Sequence, residues 1–119
     1  MLPLLIGLLT KHLLFDFFLQ GPYQYLNKGK YLHPGGLLHA CLAVVGTALV
    51  WEIVGAPLHL LGGVMAIEFI VHYHMDWAKV NINAWFGWGP QTSEKYWWLL
   101  GVDQYVHLMN YVWMLWYIS

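Results

Sequence analysis

Histidines and aspartates recur in this chain at helical spacing, inside stretches that are otherwise apolar. His12, Asp16 and Gln20 stand at successive steps of four, as do Glu68, His72 and Asp76, with Lys79 three residues further on. Asp103 and His107 carry the same spacing in reverse order, with Gln104 beside Asp103, and His39 stands in a separate apolar stretch. Residues four apart share one face of an α-helix, so each set presents its side chains together. Imidazole with carboxylate is a donor set for Zn, Fe or Mn, and water on such an ion becomes a nucleophile near neutral pH. The same groups could instead clamp helices together, at about one kcal/mol per pair in a membrane. They could also relay protons.

The elements that must hold these groups are membrane helices. Of 119 residues, 60% are hydrophobic, 18% aromatic and 9% charged. A soluble domain carries about a quarter charged residues, so this chain cannot cover itself with solvated charge. A net charge of −1 without any Arg leaves no basic stripe for nucleic acid. The single cysteine, Cys41, excludes an intrachain disulfide. Eight Trp and eight Tyr suit the belts at the two bilayer faces. The first apolar stretch has no basic start and no small-residue cleavage site, and is read as a retained helix rather than a signal peptide.

Residues 1–119 are expected to form one all-α membrane domain, a four-helix transmembrane bundle of up-down topology built from two helical hairpins. Its helices are expected at about 2–20, 36–54, 58–79 and 96–118, with polar loops at 21–35 and 80–95 and a tight turn at Gly55-Ala56-Pro57. Lys28, Lys30, Lys79 and Lys95 fall on the long-loop side. The positive-inside rule puts that side in the cytoplasm and both termini outside, which suits a bacterial inner membrane.

Topology gives the spacing its meaning. The fourth helix runs opposite to the first and third, so reversing its motif puts histidine deeper and aspartate nearer the cytoplasm in all three pairs. Asp16 and Asp76 lie roughly 5–6 Å inside their helix ends, Asp103 roughly 10 Å, and His39 roughly 5 Å. His12, Asp16, His39, His72, Asp76, Asp103 and His107 are therefore candidate metal ligands in one layer. Asp16, Asp76, Asp103 and Lys79 are the candidate catalytic groups, with Gln20, Glu68 and Gln104 in support. His74 points about 200° from His72 on a helix, so the string His72-Tyr73-His74-Met75-Asp76 cannot ligate as one motif unless the helix unwinds.

These pieces resemble a family of small uncharacterised bacterial and phage membrane proteins, catalogued as domain of unknown function 3307. The resemblance rests on H-L-L-F-D-F-F-L-Q at His12–Gln20, the Asn27/Lys28 loop, L-L-H at Leu37–His39, H-Y-H-M-D-W-A-K at His72–Lys79 and D-Q-Y-V-H at Asp103–His107. It implies a four-helix membrane fold and a functional polar set at His12, Asp16, Gln20, His39, His72, Asp76, Lys79, Asp103, Gln104 and His107. It implies no activity.

The expected function is a membrane-embedded, metal-binding hydrolase acting at the cytoplasmic interface, with a divalent Zn, Fe or Mn ion as cofactor. One alternative is a small proton, ion or solute transporter that uses the His/Asp layer as a relay. Another is a non-enzymatic subunit of a larger membrane complex or homo-oligomer, with haem held by histidines such as His39 and His107 as a sub-case. The lipid bilayer is the one partner common to all three.

Overall fold

The computed structural model describes every residue from Met1 to Ser119. The protein is all-helical, without strands. Helix α1 spans Leu2–Leu13 and runs on into a π turn at Leu14–Phe18. Helices α2 (Pro22–Tyr25), α3 (Pro34–Val54), α4 (Leu58–Phe86) and α5 (Glu94–Ile118) follow. α1 packs on α3 and α5, α3 on α4, and α4 on α5, which closes a ring of four; α2 lies on α3.

Several boundaries differ from those expected. α3 starts at Pro34 because His33 caps it, Nδ1 accepting from the Gly35 N–H at 3.0 Å. α4 does not stop at Lys79. Asn81 and Asn83 are tolerated, and the helix ends only where Gly87 adopts φ 66° and the Trp88 N–H donates back to the Asn83 carbonyl. α5 starts at Glu94, capped by Ser93. In the first stretch the Leu19 N–H reaches back to the Leu14 carbonyl at 2.7 Å, five residues away, so residues past Leu13 leave the α register.

Only two helices, α3 and α4, are long and apolar enough to cross a membrane by hydropathy, where four were expected. α5 has 25 residues, but its Trp, Tyr, Asn, Gln and His side chains dilute its apolar character. The α-helical part of α1 is 12 residues long.

Burial is inverted relative to a soluble protein. Of 25 buried residues, 12 are polar or charged, whereas Phe18, Leu26, Ile53, Trp85, Trp98 and Trp116 are among many exposed large apolar ones. At the end opposite the long loops, Leu4, Leu8, Trp51, Val64, Tyr111 and Met114 form an apolar core. Below it sits a buried ion pair. Lys11 Nζ donates to Glu68 at 3.0 Å and to the Ala43 carbonyl at 2.9 Å, and stands 4.9 Å from the centre of the Tyr111 ring. The Thr47 hydroxyl donates to Glu68 at 2.6 Å. The pair ties α1, α3, α4 and α5 at one level.

Removing one member leaves a buried charge uncompensated. Lys11→Met is expected to cost about 3–5 kcal/mol. Lys11→Met with Glu68→Gln is expected to recover most of that loss. Reversible unfolding in detergent micelles, read as a double-mutant cycle, measures both.

Candidate metal centre

Below Lys11 and Glu68, towards the long loops, the bundle brings its histidines and aspartates together. α1 and the π turn supply His12 and Asp16, the second turn of α3 supplies His39, α4 supplies His72 and Asp76, and α5 supplies Asp103 and His107. Two ligand groups form, Asp16 with His39 and His72, and His72 with Asp76 and His107.

Four atoms from three elements make the tightest knot. His39 Nε2 lies 2.9 Å from His72 Nε2, 3.0 Å from Asp16 Oδ1 and 3.4 Å from Asp76 Oδ2. His72 Nε2 lies 3.2 Å from Asp76 Oδ2 and 3.5 Å from Asp16 Oδ1. A tetrahedral ion with bonds of 2.0–2.1 Å needs ligand atoms about 3.3 Å apart, and these five His–His and His–Asp distances lie around that value. Asp16 Oδ1 and Asp76 Oδ2 are buried and accept no well-directed hydrogen bond, although the Lys28 ammonium stands 3.4 Å from Asp76 Oδ2. Such a set of imidazole and carboxylate lone pairs suits a divalent cation.

Neighbouring groups hold the knot in place. The Gln24 side-chain oxygen lies 3.0 Å from His39 Nδ1 and accepts its N–H, which leaves Nε2 free to ligate. His107 Nε2 lies 3.1 Å from Asp103 Oδ1 and 3.4 Å from Asp76 Oδ1, the oxygen that Asp76 turns away from the knot. Lys28 Nζ lies 3.4 Å from Asp76 Oδ2 and Lys79 Nζ 3.0 Å from Asp103 Oδ2.

The remaining candidates take other positions. His12 is turned from the knot: Nδ1 is 2.5 Å from Asp16 Oδ2 and Nε2 is 2.7 Å from Gln104 Oε1. Because the Gln104 amide N–H donates to Asp103 at 3.0 Å, its oxygen accepts from His12. His12 therefore positions Asp16. Gln20 leaves the His12/Asp16 face beyond the π turn and donates to the Asp16 carbonyl at 2.8 Å. Glu68 belongs to the ion pair with Lys11. His74 lies on the outer side of α4, 3.0 Å from the Tyr31 hydroxyl.

Gln24 and the burial of Lys28 escaped the spacing argument, because both reach the centre from a segment read as a headgroup-level loop. A faint signal was present. Gly21-Pro22 permits a short helix start, and Gly35 permits close approach, since a Cβ there would collide with the Tyr23 carbonyl. Beside the knot a cavity of about 130 Å³ is lined by Asp16, Gln20, Lys28, Lys79, Asp103 and His107, among others.

Residues 4–119 match the family described as Protein of unknown function (DUF3307). The chain belongs to that family. No curated protein and no solved structure matches it. For this DUF3307 protein the geometry carries the functional argument.

Gln24→Leu removes the group that fixes the His39 tautomer. It is expected to weaken Zn²⁺ binding about 10–100-fold with helix content unchanged. Competition against a fluorescent chelator measures the first, and circular dichroism the second.

Proposed function

We propose that the protein is a metal-dependent hydrolase embedded in the membrane by four spans, working at the headgroup level of the face that carries the long loops. The inverted burial supports four spans although only α3 and α4 qualify by hydropathy. α5 is about 37 Å long, and α1 with its π turn about 25 Å, against a hydrocarbon core of about 30 Å. Lys28, Lys30, Lys79 and Lys95 favour a cytoplasmic assignment for that face, and a bacterial inner membrane.

The carrying observation is the convergence of two buried carboxylate oxygens, Asp16 Oδ1 and Asp76 Oδ2, on His39 Nε2 and His72 Nε2 at 3.0–3.5 Å, without a well-directed hydrogen bond to either oxygen. In this reading Asp16, His39, His72 and Asp76 would hold a divalent Zn, Fe or Mn ion, which would acidify a water and polarise the bond to be cut. Asp103 and His107 line the cavity and, as one hydrogen-bonded pair, would take the water's proton and return it to the leaving oxygen. The water oxygen bonds to the electrophilic centre, the bond from that centre to the leaving group breaks, and the leaving group departs as the alcohol.

Chemistry on one face is also favoured over passage across the bilayer. The polar residues give way beyond Lys11 and Glu68 to the apolar core of Leu4, Leu8, Trp51, Val64 and Met114. That core offers a transported ion no polar groups to follow.

Elemental analysis of protein purified in mild detergent is expected to find about one divalent ion per chain. His72→Ala and Asp76→Asn are expected to lower it below about one tenth. A folded wild-type protein that takes up no Zn²⁺, Fe²⁺ or Mn²⁺ would sink the proposal.

A further inference from the structure

Lys28 and Lys79 face the cavity beside the proposed ion, and each has one carboxylate as its charged partner, Asp76 and Asp103 respectively. Lys28 is buried and Lys79 is only 18% exposed, so neither charge is dispersed into solvent. A divalent ion held by Asp16 and Asp76 would engage the Asp76 carboxylate that now faces Lys28, and so would leave the Lys28 ammonium positive charge to share with an incoming anion.

Size and access narrow the occupant. A cavity of about 130 Å³ has room for about four waters, enough for a phosphate group and too little for an apolar chain. The cavity lies between the end of the first helix and α5. There the walls part: no Cα of the π turn comes within 8 Å of one in α5, although α1 itself packs on α5. Phe17 and Leu100 supply the apolar part of the lining, and Phe17 and Phe18 are exposed. Gln20 Oε1, buried without a donor, lines the same space and suits a headgroup hydroxyl.

We propose that the site takes the phosphodiester of an amphiphile, its phosphate between Lys28 and Lys79 and its apolar tail outside, along the gap between the π turn and α5. The inference rests on the metal-hydrolase reading. A carboxylic ester is neutral and would offer the two lysines nothing beyond the carboxylates they already face, whereas a phosphodiester brings an anionic oxygen that can sit between them.

The test uses the full chain in detergent micelles, loaded with Zn²⁺ and assayed for metal. Calorimetric titration compares dihexanoyl phosphatidylglycerol, inorganic phosphate and dihexanoylglycerol. The phosphodiester lipid is expected to bind about tenfold or more tightly than inorganic phosphate, and the uncharged dihexanoylglycerol is expected not to bind. Lys28→Met and Lys79→Met are each expected to weaken lipid binding about tenfold while the metal content stays unchanged. Lys79→Arg, which keeps the charge and the metal, is expected to stay within about threefold.

Equal affinity for inorganic phosphate would assign the site to a free anion and overturn the amphiphile. Binding of dihexanoylglycerol, or lysine variants without effect, would overturn the anion site. A metal-loaded protein that binds none of the three would sink this proposal alone. Failure to take up metal would remove the hydrolase reading and this inference with it.

Discussion

Charge without water is the constraint on which this structure depends. An unpaired ionised group costs several kcal/mol in an apolar interior, so every one placed there must find compensation close by. The bundle meets this demand at two levels. Higher up, Lys11 and Glu68 neutralise each other, with Thr47 and the Ala43 carbonyl completing their hydrogen bonds. Lower down, three aspartates, two lysines and four histidines share one region from four sides. The crossings of α1, α3, α4 and α5 are tied at these two levels as much as by the small apolar core.

Much of the lower level was legible because helical periodicity is a local property. His72 and Asp76 fall one turn apart on α4 whatever surrounds them, and Asp103 and His107 do the same on α5. The reversed order on α5 then encodes a shared depth, since antiparallel helices must read the same motif backwards to present it at the same height. His39 follows from its distance to the start of α3. Sequence spacing could thus bring seven side chains to one layer without any knowledge of their contacts.

Orientation within the layer was not legible, for a physical reason at each residue. His12 has the spacing of a ligand, but Gln104 and Asp16 occupy both of its nitrogens, and Gln104 arrives from the far side of the ring. Gln20 would share a face with Asp16 in an α-helix. The π turn breaks that register, and no Pro or Gly within Leu14–Phe18 announces it. Gln24 and Lys28 reach the centre through a folded loop, where contact depends on chain path rather than period. The Lys11–Glu68 pair joins residues 57 positions apart, and such a pairing leaves no trace in local spacing. In α5 the polar residues that the spacing singled out, Asp103, Gln104 and His107, together with Asn110, are also those that lower its apolar character, and only α3 and α4 are apolar enough to cross a membrane by hydropathy.

The contrast between the two levels bears most directly on function. Lys11 and Glu68 balance one to one, and neither carboxylate oxygen of Glu68 lacks a donor. Such a pair is complete, and nothing further needs to bind there. The lower cluster is incomplete in hydrogen bonding, with Asp16 Oδ1 and Asp76 Oδ2 accepting no well-directed hydrogen bond beside imidazole nitrogens. A bundle that needed only adhesion could have repeated the upper solution. His12 connects the two, 3.4 Å from the Tyr111 hydroxyl on one side and bonded to Asp16 on the other, so the rigid pair also braces the unfinished centre. Stability is concentrated where hydrogen bonding is complete, and chemistry is available where it is not.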